Sequence, residues 1–169
     1  EYEDCVGRAL HRGLQGLHSL VQFMGACLHL GLQFCRQLPQ PQFGGALLAS
    51  GAIAGLFGRS STLGATLPAG SRGQSFLLEL LLTMILMVVI LCVSTGAKET
   101  GIMAGLAVGG VIGFEAMFAG PISGASMNPA RSFGPAIMSG HLHSLWIYLI
   151  APVLGSAIGV LIWHPLRQP

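Results

Sequence analysis

Charge is what this sequence has least of. Only 8% of its 169 residues are Asp, Glu, Lys or Arg, where soluble domains carry roughly 25%, so the solvated surface of a water-soluble protein is not encoded. The net charge of +2 is small and scattered, which sets aside nucleic-acid binding, a function that needs a clustered basic face or stripe. Cysteine is sparse. Cys5, Cys27, Cys35 and Cys92 show neither paired zinc-ligand spacing nor the density of a disulfide scaffold, and we read them as reduced thiols. The chain opens without Met and without the basic-then-apolar order of a secretory leader, and we read it as an internal fragment.

Apolar residues are abundant, at 52% of the chain, together with 25 glycines. Residues 75–93, SFLLELLLTMILMVVILCV, hold one charge, Glu79, and at ~1.5 Å per residue they nearly cross a ~30 Å hydrocarbon layer. Residues 101–119 and 145–163 repeat the pattern, and 42–58 is a shorter, Gly-rich version of it. We therefore expect an all-α, multi-pass integral membrane protein with about four transmembrane helices, its partner being the lipid bilayer. Small residues four apart, Gly51 with Gly55, Gly105 with Gly109 and Gly113, and Gly155 with Gly159, let helix backbones approach where lipid offers no hydrophobic drive for association. Span 75–93 lacks glycine and is expected to face lipid along much of its surface. Basic residues in short loops stay cytoplasmic, which puts Arg8, Arg12, Arg36, Lys98 and Arg167 inside and leaves Arg59 and Arg72 outside.

Residues 1–38 form a separate, amphipathic arm. Arg8, His11, Gln15, His18, Gln22, His29, Gln33 and Arg36 share one face of a helix, with leucines largely elsewhere, and such a helix suits a membrane interface. His11, His18 and His29 allow a metal or proton site, but we favour a headgroup-facing stripe.

The segment between the last two long spans, GPISGASMNPARSFGPAIMSGHLHS, is too polar to cross a bilayer and too apolar for a surface loop. Asn128 suits a helix N-cap and Pro129 the first helical position, and the helix can run from Ala130 to Ser139 despite Pro135. Gly120 to Met127 carries the glycines and proline of irregular chain. Irregular backbone at membrane depth persists only where it is buried in protein or lines a watery cavity, so a re-entrant half-helix implies a pore or site. The positive end of that helix opposes cations and suits neutral or anionic oxygen ligands.

The run GPISGASMNPARSFGPA resembles the second signature loop of the major intrinsic protein family, the aquaporins and glycerol-type channels, and LGATLPAGSRGQSFLLELLLT resembles the third-to-fourth helix region of its nodulin-like and bacterial branches. The similarity runs from about Gln42 to Trp163 within a region 39–169. The resemblance implies a passive channel for water or small uncharged solutes, in the cell membrane and assembled as a homotetramer, with no cofactor. It implies that Asn128 offers its side-chain amide hydrogens at mid-pore, next to Pro129 and Ala130. The carbonyls of Gly124, Ala125 and Ser126 are expected to form an acceptor ladder. Arg131, Ala116 and Ala125 match constriction positions, and two alanines point to a wide filter that would pass glycerol, urea or undissociated metalloid acids. Glu79 is expected to accept hydrogen bonds from the loop backbone, and Glu115 to brace a neighbouring helix. Ionisable groups at such depth are costly unless paired.

The family carries two inverted repeats, each with one Asn-Pro-Ala half-helix, whereas Asn128 is the only asparagine in this sequence. We therefore favour a truncated channel, with a non-conducting fragment or an interaction partner of full-length channels as the alternative. A remote alternative is an intramembrane serine hydrolase built on Ser126 and His164. His141 and His143, at a span boundary, read as solvated loop residues.

Overall fold

A computed structural model describes residues 39–58, 62–95 and 102–166. The arm with its three histidines, Cys5, Cys27, Cys35, Arg59, Lys98 and Arg167 lie outside these residues, and with them much of the charge bias used for orientation. The described chain is all helix, in the order α1 (Pro39–Phe57), α2 (Arg72–Thr95), α3 (Ile102–Ser123), α4 (Pro129–Ser139) and α5 (Leu145–Leu166), with no strand among the described residues. Three of these helices, α2, α3 and α5, are long and apolar enough to cross a membrane, and α1 is a shorter apolar helix. The half-helix α4 has 11 residues, about 16 Å at ~1.5 Å per residue, or roughly half of a hydrocarbon core.

The helix ends follow from local chemistry. Proline in the first turn of α1 loses nothing, since first-turn amides have no intrahelical acceptor. Gly58 closes α1 in the left-handed region (φ 80°) and returns its amide to the Ala54 carbonyl at 3.0 Å. Ser71 caps α2 by accepting the Gln74 amide at 3.1 Å. Pro135 sits inside α4, and Ser139 donates its hydroxyl to the Pro135 carbonyl at 2.7 Å.

Close backbone approach assembles the bundle. A Cβ added to Gly155 would collide with the Leu80 carbonyl, and one on Gly159 would lie 2.8 Å from the Met84 carbonyl and 2.9 Å from Met87 Cβ. The glycines of α5 thus lie directly on the backbone of α2. Most of α2 is open to its surroundings, with 22% of its apolar stretch buried. Leu77, Leu81, Ile85 and Cys92 are exposed along it, while α3 and α5 pack on its other sides. The stretch 75–93 of α2, which lacks glycine, still takes part in a close crossing because its neighbour supplies the glycines.

The half-helix α4 packs on α5 and against α1. A Cβ on Gly134 would meet the Ala46 carbonyl carbon at 2.6 Å, and Phe43 and Phe133 stack edge to face at 4.9 Å. The glycine stripe of α3 behaves differently. Gly105, Gly109 and Gly113 have no atom within 4 Å of where a Cβ would stand. At one end of the bundle Arg72, opening α2, meets the ring of His143, just before α5, at 3.0 Å. That contact brings the start of α2 and the segment before α5 together.

Candidate functional site

The site is built around one buried carboxylate. Glu79, on α2, is fully buried and accepts the Ser123 hydroxyl at 2.7 Å, the Ser126 amide at 2.9 and 3.1 Å on its two oxygens, and the Met127 amide at 2.9 Å. A charge removed from water is tolerated only when paired or fully hydrogen-bonded. Here the donors are the backbone of the segment that links α3 to α4. Bonds to a charged acceptor contribute ~1.5–3 kcal/mol each, enough to hold that segment in a shape it would not choose unaided.

That shape is left-handed at three of its residues. Gly124 (φ 92°), Ala125 (φ 42°) and Met127 (φ 51°) all have positive φ, at ~1–2 kcal/mol for a residue bearing a Cβ. The result is a segregation of backbone polarity. The amides from Gly124 to Asn128 are all taken, by the Gly120 carbonyl (3.0 Å), the Ser123 hydroxyl (3.2 Å), Glu79 and the Ser126 hydroxyl (3.4 Å). Among the described residues no donor reaches the carbonyls of Gly124, Ala125 or Ser126. Tyr148 braces the same corner from α5, donating its hydroxyl to the Ser123 carbonyl at 2.5 Å.

Asn128 then caps α4 from an extended conformation (φ −147°, ψ 115°), its Oδ1 accepting the Ala130 amide at 2.9 Å and the Arg131 amide at 3.4 Å. This fixes which end of the side-chain amide is which: Oδ1 faces the helix, so Nδ2 is the free end and carries two donors. Asn128, Ala130 and Arg131 line a cavity of about 430 Å³ together with Ala49, Ser50 and Leu63. Pro129 occupies the first helical position beside them. Gly124, Ala125 and Ser126 are outside that lining, as is Ala116, which is exposed on α3. Arg131 is exposed, and among the described residues its guanidinium forms no hydrogen bond.

The arrangement therefore presents free carbonyl acceptors, a side-chain amide donor, a guanidinium and the positive end of a helix in one short stretch of chain. A helix N-terminus and a guanidinium in general oppose cations and suit neutral or anionic oxygen ligands. Glu115 is the exception to good pairing: it is 2% exposed and both carboxylate oxygens lack a partner among the described residues. Ser126 and His164 are not brought together. The Ser126 hydroxyl donates to the Asn128 carbonyl at 2.9 Å, and His164 lies ~24 Å along α5 from Tyr148 at ~1.5 Å per residue, while Tyr148 itself reaches Ser123.

A sequence model of the major intrinsic proteins matches residues 25–163 of this chain. The chain belongs to the major intrinsic protein family. The match begins inside the N-terminal stretch 1–38 and leaves residues 1–24 outside it. Over 136 residues the chain is 46% identical to aquaporin NIP1-1 of Zea mays, covering 78% of this chain and 48% of that relative. It is 41% identical over 124 residues to nodulin-26 of Glycine max, covering 73% and 46%, and 43% identical over 128 residues to a probable NIP-type aquaporin of Nicotiana alata, covering 75% and 47%. The chain thus spans about half the length of the curated relatives it matches. Membership in this family and three long apolar helices make it an integral membrane protein.

Four residues that contact this loop or the start of α4 carry no role in the sequence reading: Ser123, Tyr148, Ser132 and Thr66. Tyr148 carried a signal, since a tyrosine within an apolar span needs a partner for its hydroxyl. The three small hydroxyl residues carried none.

Proposed function

We propose that this chain supplies one half of a passive pore for water and small uncharged solutes such as glycerol, urea or undissociated metalloid acids. The observation that carries the reading is the segregation of the Gly124–Asn128 backbone, with its amides held by Glu79 and its neighbours, its first three carbonyls free, and the Asn128 amide donors free beside them. In this reading the Gly124, Ala125 and Ser126 carbonyls accept from the permeating molecule and Asn128 donates to it. Arg131, with Ala116 and Ala125, sets the constriction, and Glu79 is the scaffold that keeps the loop in register. Glu115 braces the helix that carries Ala116. No step needs a cofactor, because flow follows the solute's own gradient. The proposed setting is the cell membrane, and the proposed assembly a homotetramer of complete pores.

Conduction in this reading belongs to two opposed half-helices, and this sequence has a single Asn-Pro-Ala. The test is complementation. The chain is co-expressed with the N-terminal half of the Zea mays relative, purified as a complex and reconstituted in liposomes, and shrinkage is followed by stopped flow under an impermeant osmolyte and then under glycerol. Rates above those of empty liposomes, and above those with either half alone, are expected. A co-purified, inserted pair that conducts no faster than lipid contradicts the proposal.

A further inference from the structure

We propose that Thr66, in the segment between α1 and α2, is a positioning residue for the pore loop, acting through a one-way chain of buried hydroxyls. The inference rests on the channel reading only for its effect on transport.

Three hydroxyls lie in contact. Thr66 Oγ1 is 2.7 Å from Ser132 Oγ, and Ser132 Oγ is 2.5 Å from Ser126 Oγ. The Ser126 hydroxyl also lies 2.9 Å from the Asn128 carbonyl. All three side chains are buried, Thr66 at 7%, Ser126 at 5% and Ser132 at 0% exposure, so water does not compete for them. Each hydroxyl has one proton, and a carbonyl can only accept. If Ser126 gives its proton to Asn128, it must accept from Ser132, and Ser132 must then accept from Thr66. The polarity of the chain is thereby fixed by the carbonyl at its end and runs from Thr66 to Ser132 to Ser126 to Asn128.

Two further contacts tie the same segment to the loop. A Cβ on Gly124 would stand 2.9 Å from Thr66 Cγ2 and 3.3 Å from its Cα, so Thr66 lies directly on the residue that begins the free carbonyls. The Ala69 amide donates to the Ile122 carbonyl at 2.9 Å, pinning the segment to the end of α3. Thr66 thus touches both sides of the cap, the irregular chain before Asn128 and the half-helix after it. Without the Thr66 proton, the bond that fastens the half-helix at Ser132 to the segment before α2 is lost, and the Ser132–Ser126 hydroxyl pair loses its anchor outside the loop. The Asn128 carbonyl, which accepts both the Ser126 hydroxyl and the Ser132 amide at 3.4 Å, is then held less firmly by the residues on either side of it.

Amide hydrogen exchange of the full chain in lipid nanodiscs tests this without requiring conduction. Thr66→Val keeps the shape and removes the proton. It should accelerate exchange at Ser126 and Met127 about tenfold, the loss of one buried hydrogen bond, and leave the amides of α5 unchanged. Thr66→Ser keeps the proton and should retain protection close to that of the parent chain. Parent-like exchange in Thr66→Val overturns the proposal, as does acceleration in Thr66→Ser equal to that in Thr66→Val, which would assign the effect to the methyl packing on Gly124. If Thr66→Val does not insert, Ser132→Ala breaks the chain at its middle and should give the same acceleration; unchanged exchange there overturns the proposal equally. In complemented liposomes Thr66→Val should also lower glycerol permeability about tenfold by the same loss. Background permeability of the parent complex would instead contradict the channel reading, leaving the exchange result to decide on Thr66.

Discussion

The two carboxylate oxygens of Glu79 lie 2.9 and 3.1 Å from the amide nitrogen of Ser126, across 47 residues of chain. That contact joins the first half of the long apolar helix α2 to the non-helical backbone between α3 and α4. It accounts for how such backbone survives: its donors are satisfied by the protein, and its acceptors are left for something else.

Glu79→Gln should show this in stability. The replacement has one acceptor oxygen where the carboxylate has two, and it points an NH₂ group at the Ser126 or Met127 amide, donor against donor. A destabilisation of ~2–4 kcal/mol is expected, read as a lowered unfolding midpoint in detergent by circular dichroism. A midpoint equal to that of the parent chain would mean that the loop holds its shape without Glu79.

Glycines with the same spacing should respond oppositely. Gly155→Ala drives a methyl into the Leu80 carbonyl and is expected to cost ~1–3 kcal/mol. Gly109→Ala meets nothing within 4 Å and should be neutral or stabilising by up to ~1 kcal/mol through helix propensity. The same unfolding assay separates them, and equal losses would contradict the packing of α5 on α2.

Tyr148→Phe removes the hydroxyl donated to the Ser123 carbonyl at 2.5 Å and changes little else. A loss of ~1 kcal/mol is expected, with faster exchange at Ala125, whose amide uses the neighbouring Ser123 hydroxyl. Unaltered exchange there would confine Tyr148 to packing.

The half-helix was legible because its signals are local: Asn128 and Pro129 are a cap and a first-turn residue in adjacent positions. Glu79 was legible as the lone charge in an apolar run. The glycine spacing was only half informative. Gly155 with Gly159 and Gly105 with Gly109 read alike, yet only the first pair meets a backbone among the described residues, since spacing shows that an approach is allowed and not that a partner is there. Thr66 with Ser132 was out of reach for a different reason. A hydroxyl pair separated by 66 residues leaves no periodicity, and serine and threonine occur throughout the loops for turn chemistry alone.

The most direct test of the central claim is the osmotic water permeability of Asn128→Asp, measured by stopped flow in liposomes with the complementary half present. Aspartate keeps the oxygen that caps α4, so circular dichroism should show a folded chain. It replaces the free Nδ2 donors with a charge, and water permeability should fall by about tenfold or more, the loss of a charge-sensitive contact worth ~1.5–3 kcal/mol. Permeability unchanged from that of the parent complex would contradict the claim that Asn128 donates to what passes through this half of the pore.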